Sequence, residues 1–291
     1  MRRTTYPEAA VPAPLAGGLP ELLRRVRYEV LPAKATEAKV LEWVPPDVAV
    51  TVTASPAKGL APTLDLATRL AAHGYRVVPH VPARLLVDDA HLSDVVDRLL
   101  AAGIDEVFVP AGDADPPAGA YDAALPVLRR LSEMGSPFAH VGITGYPESH
   151  PLIEDDVTVQ AMWDKQAHAT CIVSNLCFDP AVLGGWVRRL RRRHIMLPVH
   201  VGVAGPVERA KLLSMATKIG VGESARFLTR HPFWFLRFAA PGGYSPDRLL
   251  SRSAVALTAP SASVAGLHLF TFNQIAETES WRRRMLERLG G

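Results

Sequence analysis

Short apolar runs alternate with amphipathic stretches along almost the whole chain. Residues 26–31, 48–53, 75–79, 106–109, 137–143, 170–174, 195–203 and 263–270 are dominated by Val, Ile, Leu and Phe, at lengths that suit buried strands. Between them, residues 36–43, 63–73, 87–102, 121–134, 157–168, 181–193, 206–219, 249–257 and 277–289 read as helices. Their apolar positions recur three and four apart, as on a helix with one buried face. In 87–102 these are Leu92, Val95, Val96, Leu99 and Leu100, and Gly103 supplies the stop. Strands alternating with helices, without Gly/Ser linkers, predict a parallel sheet with right-handed crossovers. The expected fold class is α/β, a single (β/α)8 TIM barrel, with an open doubly wound sheet as second choice. Residues 1–25 read as an N-terminal arm and 26–291 as the barrel. One segment, 222–260, breaks the rhythm with the aromatic cluster Phe233, Trp234 and Phe235.

Composition narrows the function classes. The chain has 291 residues, of which 48% are hydrophobic and 21% charged, enough apolar material for a core and too little charge for disorder. The net charge of +3 owes much to two arginine clusters, 188–193 and 282–284. Both fall in helical patterns without interleaved aromatics, so solvated helix faces are expected rather than a nucleic-acid surface. No apolar run approaches the roughly 20 residues of a membrane span, and 1–18 lacks the apolar stretch of a signal peptide. Cys171 and Cys177 are the only cysteines, expected as reduced residues of a cytoplasmic protein. No C-x-x-C, H-x-H or H-E-x-x-H occurs, so no metal is expected; G-x-G-x-x-G and the phosphate-loop signature are also missing.

Polar residues collect at the predicted strand ends, where a barrel of this kind carries its chemistry. They are Glu29, Thr53, His80, Asp113, Tyr146 with His150, Asn175, His200 and Asn273. The most pointed stretch is 142–151, in which a buried strand runs into Tyr146, Glu148 and His150 between Pro147 and Pro151. Each has an ordinary structural explanation taken alone. Asp113 follows Gly112 as a turn residue or cap would, His200 suits a hydrogen-bonded wall position, and Lys165 suits a solvated helix. Glu29, framed in sequence by Tyr28 and Val30, is expected to have a raised pKa and to act as an acid, while Asp113 stays ionised.

In order and spacing this set resembles the methylenetetrahydrofolate reductase family. The resemblance runs from about Val26 through Glu29, Val52-Thr53, Thr63-Leu64, Pro79-His80, Gly112-Asp113, Gly145-Tyr-Pro-Glu-x-His-Pro151, Lys165, Phe178-Asp179 and His268-x-Phe-Thr-x-Asn273. It implies a cytoplasmic enzyme of one-carbon metabolism and methionine biosynthesis. Such an enzyme passes hydride from NAD(P)H to 5,10-methylenetetrahydrofolate, a small-molecule substrate. Glu29 would be the general acid, Asp113 would stabilise the pterin, and Asn175 and Phe178 would bind the folate. Thr53, His80, Tyr146, His150 and Lys165 match cofactor-binding positions. Two departures, Ala54-Ser-Pro-Ala-Lys-Gly59 and Val109-Pro-Ala-Gly-Asp113, replace the usual Gly-rich and Arg-containing loops and argue against bound FAD. They resemble a flavin-free branch in which NADH acts directly, with NADPH as the other donor. An FAD-dependent reductase, a homo-oligomer, and a catalytically silent barrel binding folate or a partner protein through 233–238 stay open.

Overall fold

The computed structural model describes residues 18–148, 155–207 and 245–290. Eight parallel strands run β1 Val26–Val30, β2 Ala49–Val52, β3 Val77–Pro79, β4 Glu106–Phe108, β5 His140–Gly145, β6 Cys171–Ser174, β7 Val199–Ala204 and β8 Val264–Phe270. Their order is β3-β2-β1-β8-β7-β6-β5-β4. A parallel bridge between His80 and Phe108, with the Val81 N–H donating to the Phe108 carbonyl at 2.8 Å, brings the two outer strands together. The sheet thus curls into the expected (β/α)8 TIM barrel.

Nine helices are described: α1 Gly18–Arg24, α2 Thr36–Trp43, α3 Ala61–Ala72, α4 Asp89–Ala101, α5 Ala124–Glu133, α6 Asp155–Gln166, α7 Pro180–Arg192, α8 Asp247–Thr258 and α9 Ile275–Arg288. α1 falls within the stretch read as an arm, and its Leu19, Leu22 and Leu23 join the core. β7 begins at Val199 rather than 195. His194 takes a positive φ after α7, and Ile195 packs into the core as part of the turn. The expectations for 1–17, for His150, and for most of 206–219 and 222–244, including 233–238, lie outside the described residues.

Strand side chains alternate between two environments. Val50, Val77, Val107, Ile143, Ile172 and Val201 face outward and merge with the helices in one large core. Val78, Phe108 and Val173 form a separate small cluster inside the barrel. The rest of the interior is polar. Arg27 and Glu106, from β1 and β4, form a buried salt bridge across it, with side chains 10% and 4% exposed. The wall also needs close approach: a Cβ on Gly202 would lie 2.1 Å from the Ser174 carbonyl oxygen, so only glycine lets β7 run beside β6 here.

The outer layer corrects one expectation about the arginine clusters. Arg282 is buried, not solvated, and its guanidinium pairs with Glu279 at 2.8 and 3.0 Å while reaching the Leu23 carbonyl at 3.2 Å. Glu279 also accepts from the Tyr28 hydroxyl at 2.5 Å. Helix periodicity alone cannot distinguish such an arginine from an exposed one, because its partner comes from the same helix and its acceptor from another. Arg191 likewise turns inward, donating to the Ala262 carbonyl at 2.7 Å.

A buried ion pair broken on one side leaves an uncompensated charge, at a cost of roughly 3–5 kcal/mol. Arg27→Met alone and Glu106→Leu alone should each lower unfolding free energy by about that much. The double variant should recover a large part of it. Urea unfolding of the three variants measures this; a double variant no better than the sum of the singles would show that the pair is not coupled.

Candidate active site at the carboxyl ends of the strands

β1 places alternate residues on opposite sides of the sheet. Tyr28 and Val30, the sequence neighbours of Glu29, point out toward the helices, and Glu29 points into the barrel mouth. Its true neighbours come from far along the chain. His268 on β8 brings Nε2 to 3.0 Å from Glu29 Oε2. His80, at the end of β3, holds Nε2 3.8 Å from the same oxygen, beyond hydrogen-bond reach. The two imidazole rings are 6.4 Å apart and inclined by 28°. Phe108 packs edge-on to His80 at 4.7 Å and Phe270 edge-on to His268 at 4.8 Å, so each ring is held by an aromatic neighbour.

Four further hydrogen bonds fix the strand end that carries Glu29. The Thr271 hydroxyl donates to the Glu29 carbonyl at 2.6 Å. Asn273 accepts from the Leu31 N–H at 2.8 Å and donates to the Leu31 carbonyl at 3.0 Å and to Thr36 Oγ1 at 3.1 Å. To do so Asn273 adopts a left-handed backbone, φ 57°, which Asn tolerates better than most residues. His268, Thr271 and Asn273 therefore act as one clamp on residues 29–31. Asn273 is structural here; it stood on the sequence-based list of mouth residues without that role being visible.

The electrostatics reverse the expectation for Glu29. Burial opposes its charge, but the hydrogen bond with His268, together with the electrostatic pull of the surrounding imidazoles, outweighs burial and holds its carboxyl below the usual range. Glu29 is thus ionised in the resting site, not a stored acid. The expectation failed because it took Tyr28 and Val30 as the environment, and both face the other side of the sheet. Burial pushes the His80 imidazole down to about 4, against the pull of Glu29, so His80 is neutral at pH 7. Its Nε2 is buried and has no hydrogen-bond partner. An unpartnered buried nitrogen aimed at an ionised carboxylate is a seat for a polar atom of a ligand. Glu29, His80 and His268 also bring three ligand atoms within 4.8 Å of one another, the right types for a divalent cation. No local spacing could have signalled this against the expectation of no metal, since the three sit on β1, β3 and β8.

The other sequence-predicted residues spread around the mouth. Thr53 follows β2, its N–H donating to the Val30 carbonyl at 3.0 Å and its carbonyl accepting from Thr63 at 2.9 Å, so it ties β2 to α3. Asp113 lies exposed on the loop after β4, where Gly112 takes φ +90° and packs against Pro82. Burial raises the Tyr146 phenol, with a hydrogen bond to Thr144 acting against it and the nearby Asp113 charge adding to it. Asp113 and Tyr146 therefore share one side of the mouth. Glu148 accepts from the Phe178 N–H at 2.9 Å, which joins the β5 loop to the β6 loop. Phe178 is buried with Leu176, Ala204 and Val207, and Asn175 turns its side-chain oxygen to the Leu176 N–H at 2.8 Å. Lys165 on α6 is half-buried, and burial lowers its ammonium pKa. His200 lies deeper in the barrel, its imidazole pushed well down by burial and by Arg27. His268, quoted in sequence only as part of a motif, proves to be a central residue of the site. Burial raises Cys171 to about 12 and Cys177 further, so neither thiol is a ready nucleophile.

Comparison with known proteins adds fold, not family. No protein-family model matches the chain. The C-terminal domain of a candidate chitinase from Desulfitobacterium hafniense aligns with TM-score 0.50 at 11% identity, over 91% of this chain and 97% of that one. A candidate lyase/mutase from Burkholderia cenocepacia aligns at 0.48 and 15%, over 92% and 84%. A candidate deoxyribose-phosphate aldolase from Toxoplasma gondii aligns at 0.47 and 13%, over 92% and 94%. None of these is described as an oxidoreductase. The expectation of an NAD(P)H-dependent methylenetetrahydrofolate reductase is corrected: no family model supports it, and the structure aligned at TM-score 0.50 is described as a candidate chitinase. Among the described residues no helix is long and apolar enough to cross a membrane.

The pH dependence of stability follows from the shifted histidine. A folded-state pKa near 4 against an ordinary 6.5 means the unfolded chain binds the proton first as pH falls. His80 thus contributes stability fully above 6.5 that is lost progressively down to about 4. His80→Gln should flatten the slope of melting temperature against pH in that window by about one proton, leaving the share due to His200. A slope equal to wild type would show that His80 is charged in the folded protein.

Proposed function

We propose that the chain is an enzyme that moves a proton on a small molecule at the barrel mouth, with Glu29 as the base, in a reaction of the lyase type. The observation that carries this reading is the pair formed by an ionised, clamped carboxylate and a neutral, unpartnered imidazole facing it. A carboxylate so held can take a proton from carbon beside a carbonyl. The C–H electron pair then moves into the new C=C bond and the carbonyl oxygen gains charge. His80, carrying its proton on Nε2, would donate to that oxygen, and a neutral imidazole is a suitable donor because it matches the weak acidity of the enol. Return of the oxygen's electron pair expels a leaving group from the next carbon, and the proton on Glu29 departs with it. His268 keeps Glu29 oriented through the 3.0 Å contact.

Four of the residues on which the family resemblance rests, Glu29, His80, His268 and Asn273, are gathered at this site, while the others lie elsewhere around the mouth or outside the described residues. That supports common descent with the family without carrying over its reaction.

Positioned proton transfer contributes roughly 100- to 10,000-fold to rate. A panel of small carbonyl compounds incubated with the protein in D2O should reveal, by proton NMR, one or more that exchange a carbon-bound hydrogen. Glu29→Gln should slow that exchange at least 100-fold while melting temperature changes by only a few degrees. Exchange at the wild-type rate in Glu29→Gln would remove Glu29 from the base role.

A further inference from the structure

Beside the Glu29 strand end lies a second feature that the proton-transfer set does not use. A cavity of about 320 Å³ opens between the loop after β1, the loop after β2 and one face of α3 from Pro62 to Arg69. Its charged lining is Lys34, Lys58, Asp65 and Arg69, with Pro32 and Pro62 as stiff apolar walls. Two of the four charges are already matched. Asp65 accepts from Arg98 at 2.6 Å and Arg69 donates to Glu37 at 2.6 Å. Glu37 is held ionised mainly by that arginine. Among the described residues Lys34 and Lys58 have no ion pair. The cavity therefore carries two unneutralised ammonium groups on two different loops, facing one volume large enough for a phosphate or carboxylate group and its linker. Lys34 and Lys58 are exposed, as lone solvated lysines are; two on separate loops lining one concavity are a more specific arrangement. Lys34 is five residues beyond Glu29, so the two Cα atoms are at most roughly 18 Å apart, the span of an extended metabolite. Asn273 pins the intervening Leu31 at the Glu29 end of that span.

We propose that this cavity is an anion subsite, with Lys34 and Lys58 holding the phosphate or carboxylate tail of the small molecule whose other end reaches Glu29. The link to Glu29 rests on the proton-transfer reading; the anion subsite itself does not. Anchoring a remote, non-reacting tail is a common way to pay for orientation at the reacting carbon. Lysine suits this as a point charge that accepts either anion without a fixed planar geometry.

The test is calorimetric titration of the full chain with pyrophosphate and, separately, tricarballylate, at low and physiological salt. Saturable binding with Kd below about 1 mM is expected for one or both, weakening with salt. The Lys34→Glu/Lys58→Glu variant should weaken binding roughly tenfold or more, and Lys34→Arg/Lys58→Arg should retain it. Binding of pyrophosphate alone assigns a phosphate tail, and of tricarballylate alone a carboxylate tail. Absence of saturable binding of both probes, or binding unchanged in the charge-reversed variant at wild-type melting temperature, overturns the subsite. Glu29→Gln should leave probe binding unchanged, so failure of the base role and failure of the subsite are read in separate experiments.

Discussion

The hydrogen bond between His268 and Glu29 joins the two ends of the chain at the site. β1 and β8 are the first and last strands of the sheet in chain order, and they are neighbours. A carboxylate on one and an imidazole on the other meet only if the register between them is right. That register pairs Arg27 with His268 and Glu29 with Phe270, and Thr271 and Asn273 then bind the backbone just beyond. Each neutral bond is worth about 1 kcal/mol net, so together they hold the strand end more firmly than a loop could hold itself. The same contacts that tie β1 to the end of β8 thus orient Glu29. Folding and the site are not separable here.

The polar interior gives this arrangement its character. A barrel whose inward positions were filled with Val and Leu would have a dry, inert centre. In this chain the inward positions include Arg27, Glu106, His200, Glu29, His80 and His268, all largely withdrawn from water. The Arg27–Glu106 pair settles two charges in the barrel by mutual neutralisation. At the mouth the solution is different: Glu29 is held charged chiefly through its hydrogen bond with His268, and His80 stays neutral because burial outweighs the pull of Glu29. The deeper pair is balanced within the protein. The upper set is left with an unpartnered nitrogen, which is where a substrate atom can complete it.

The fold was legible because its signal is periodic and repeated. Each of the eight apolar runs became a strand, and errors were confined to ends such as 195–198, where His194 begins a turn that apolar residues disguise. The site was legible in membership and partly misread in meaning. Glu29 and His80 could be picked out because polar residues at the ends of apolar strands are unusual. The partner of Glu29 could not be read from Tyr28 and Val30, since adjacent residues on a strand face opposite ways. His268 was hidden for a related reason: it lies in the middle of an apolar run, where a histidine reads as a wall residue. Asn273 shows the reverse case, a polar residue at a strand end whose work is to bond Leu31 and Thr36.

The stretch His268-x-Phe-Thr-x-Asn273 builds a place rather than a reaction. Its histidine holds a carboxylate charged, its phenylalanine braces that histidine, and its threonine and asparagine fix the neighbouring backbone. None of these tasks specifies what the carboxylate does to a ligand. That is decided by what else faces Glu29, and here the group facing it is a neutral His80 with a free Nε2. Resemblance across the clamp therefore speaks for how the site is built, while the charge states within it speak for its chemistry. In this molecule the second is the more informative, because a resting anion opposite a neutral donor is suited to taking a proton and unsuited to supplying one.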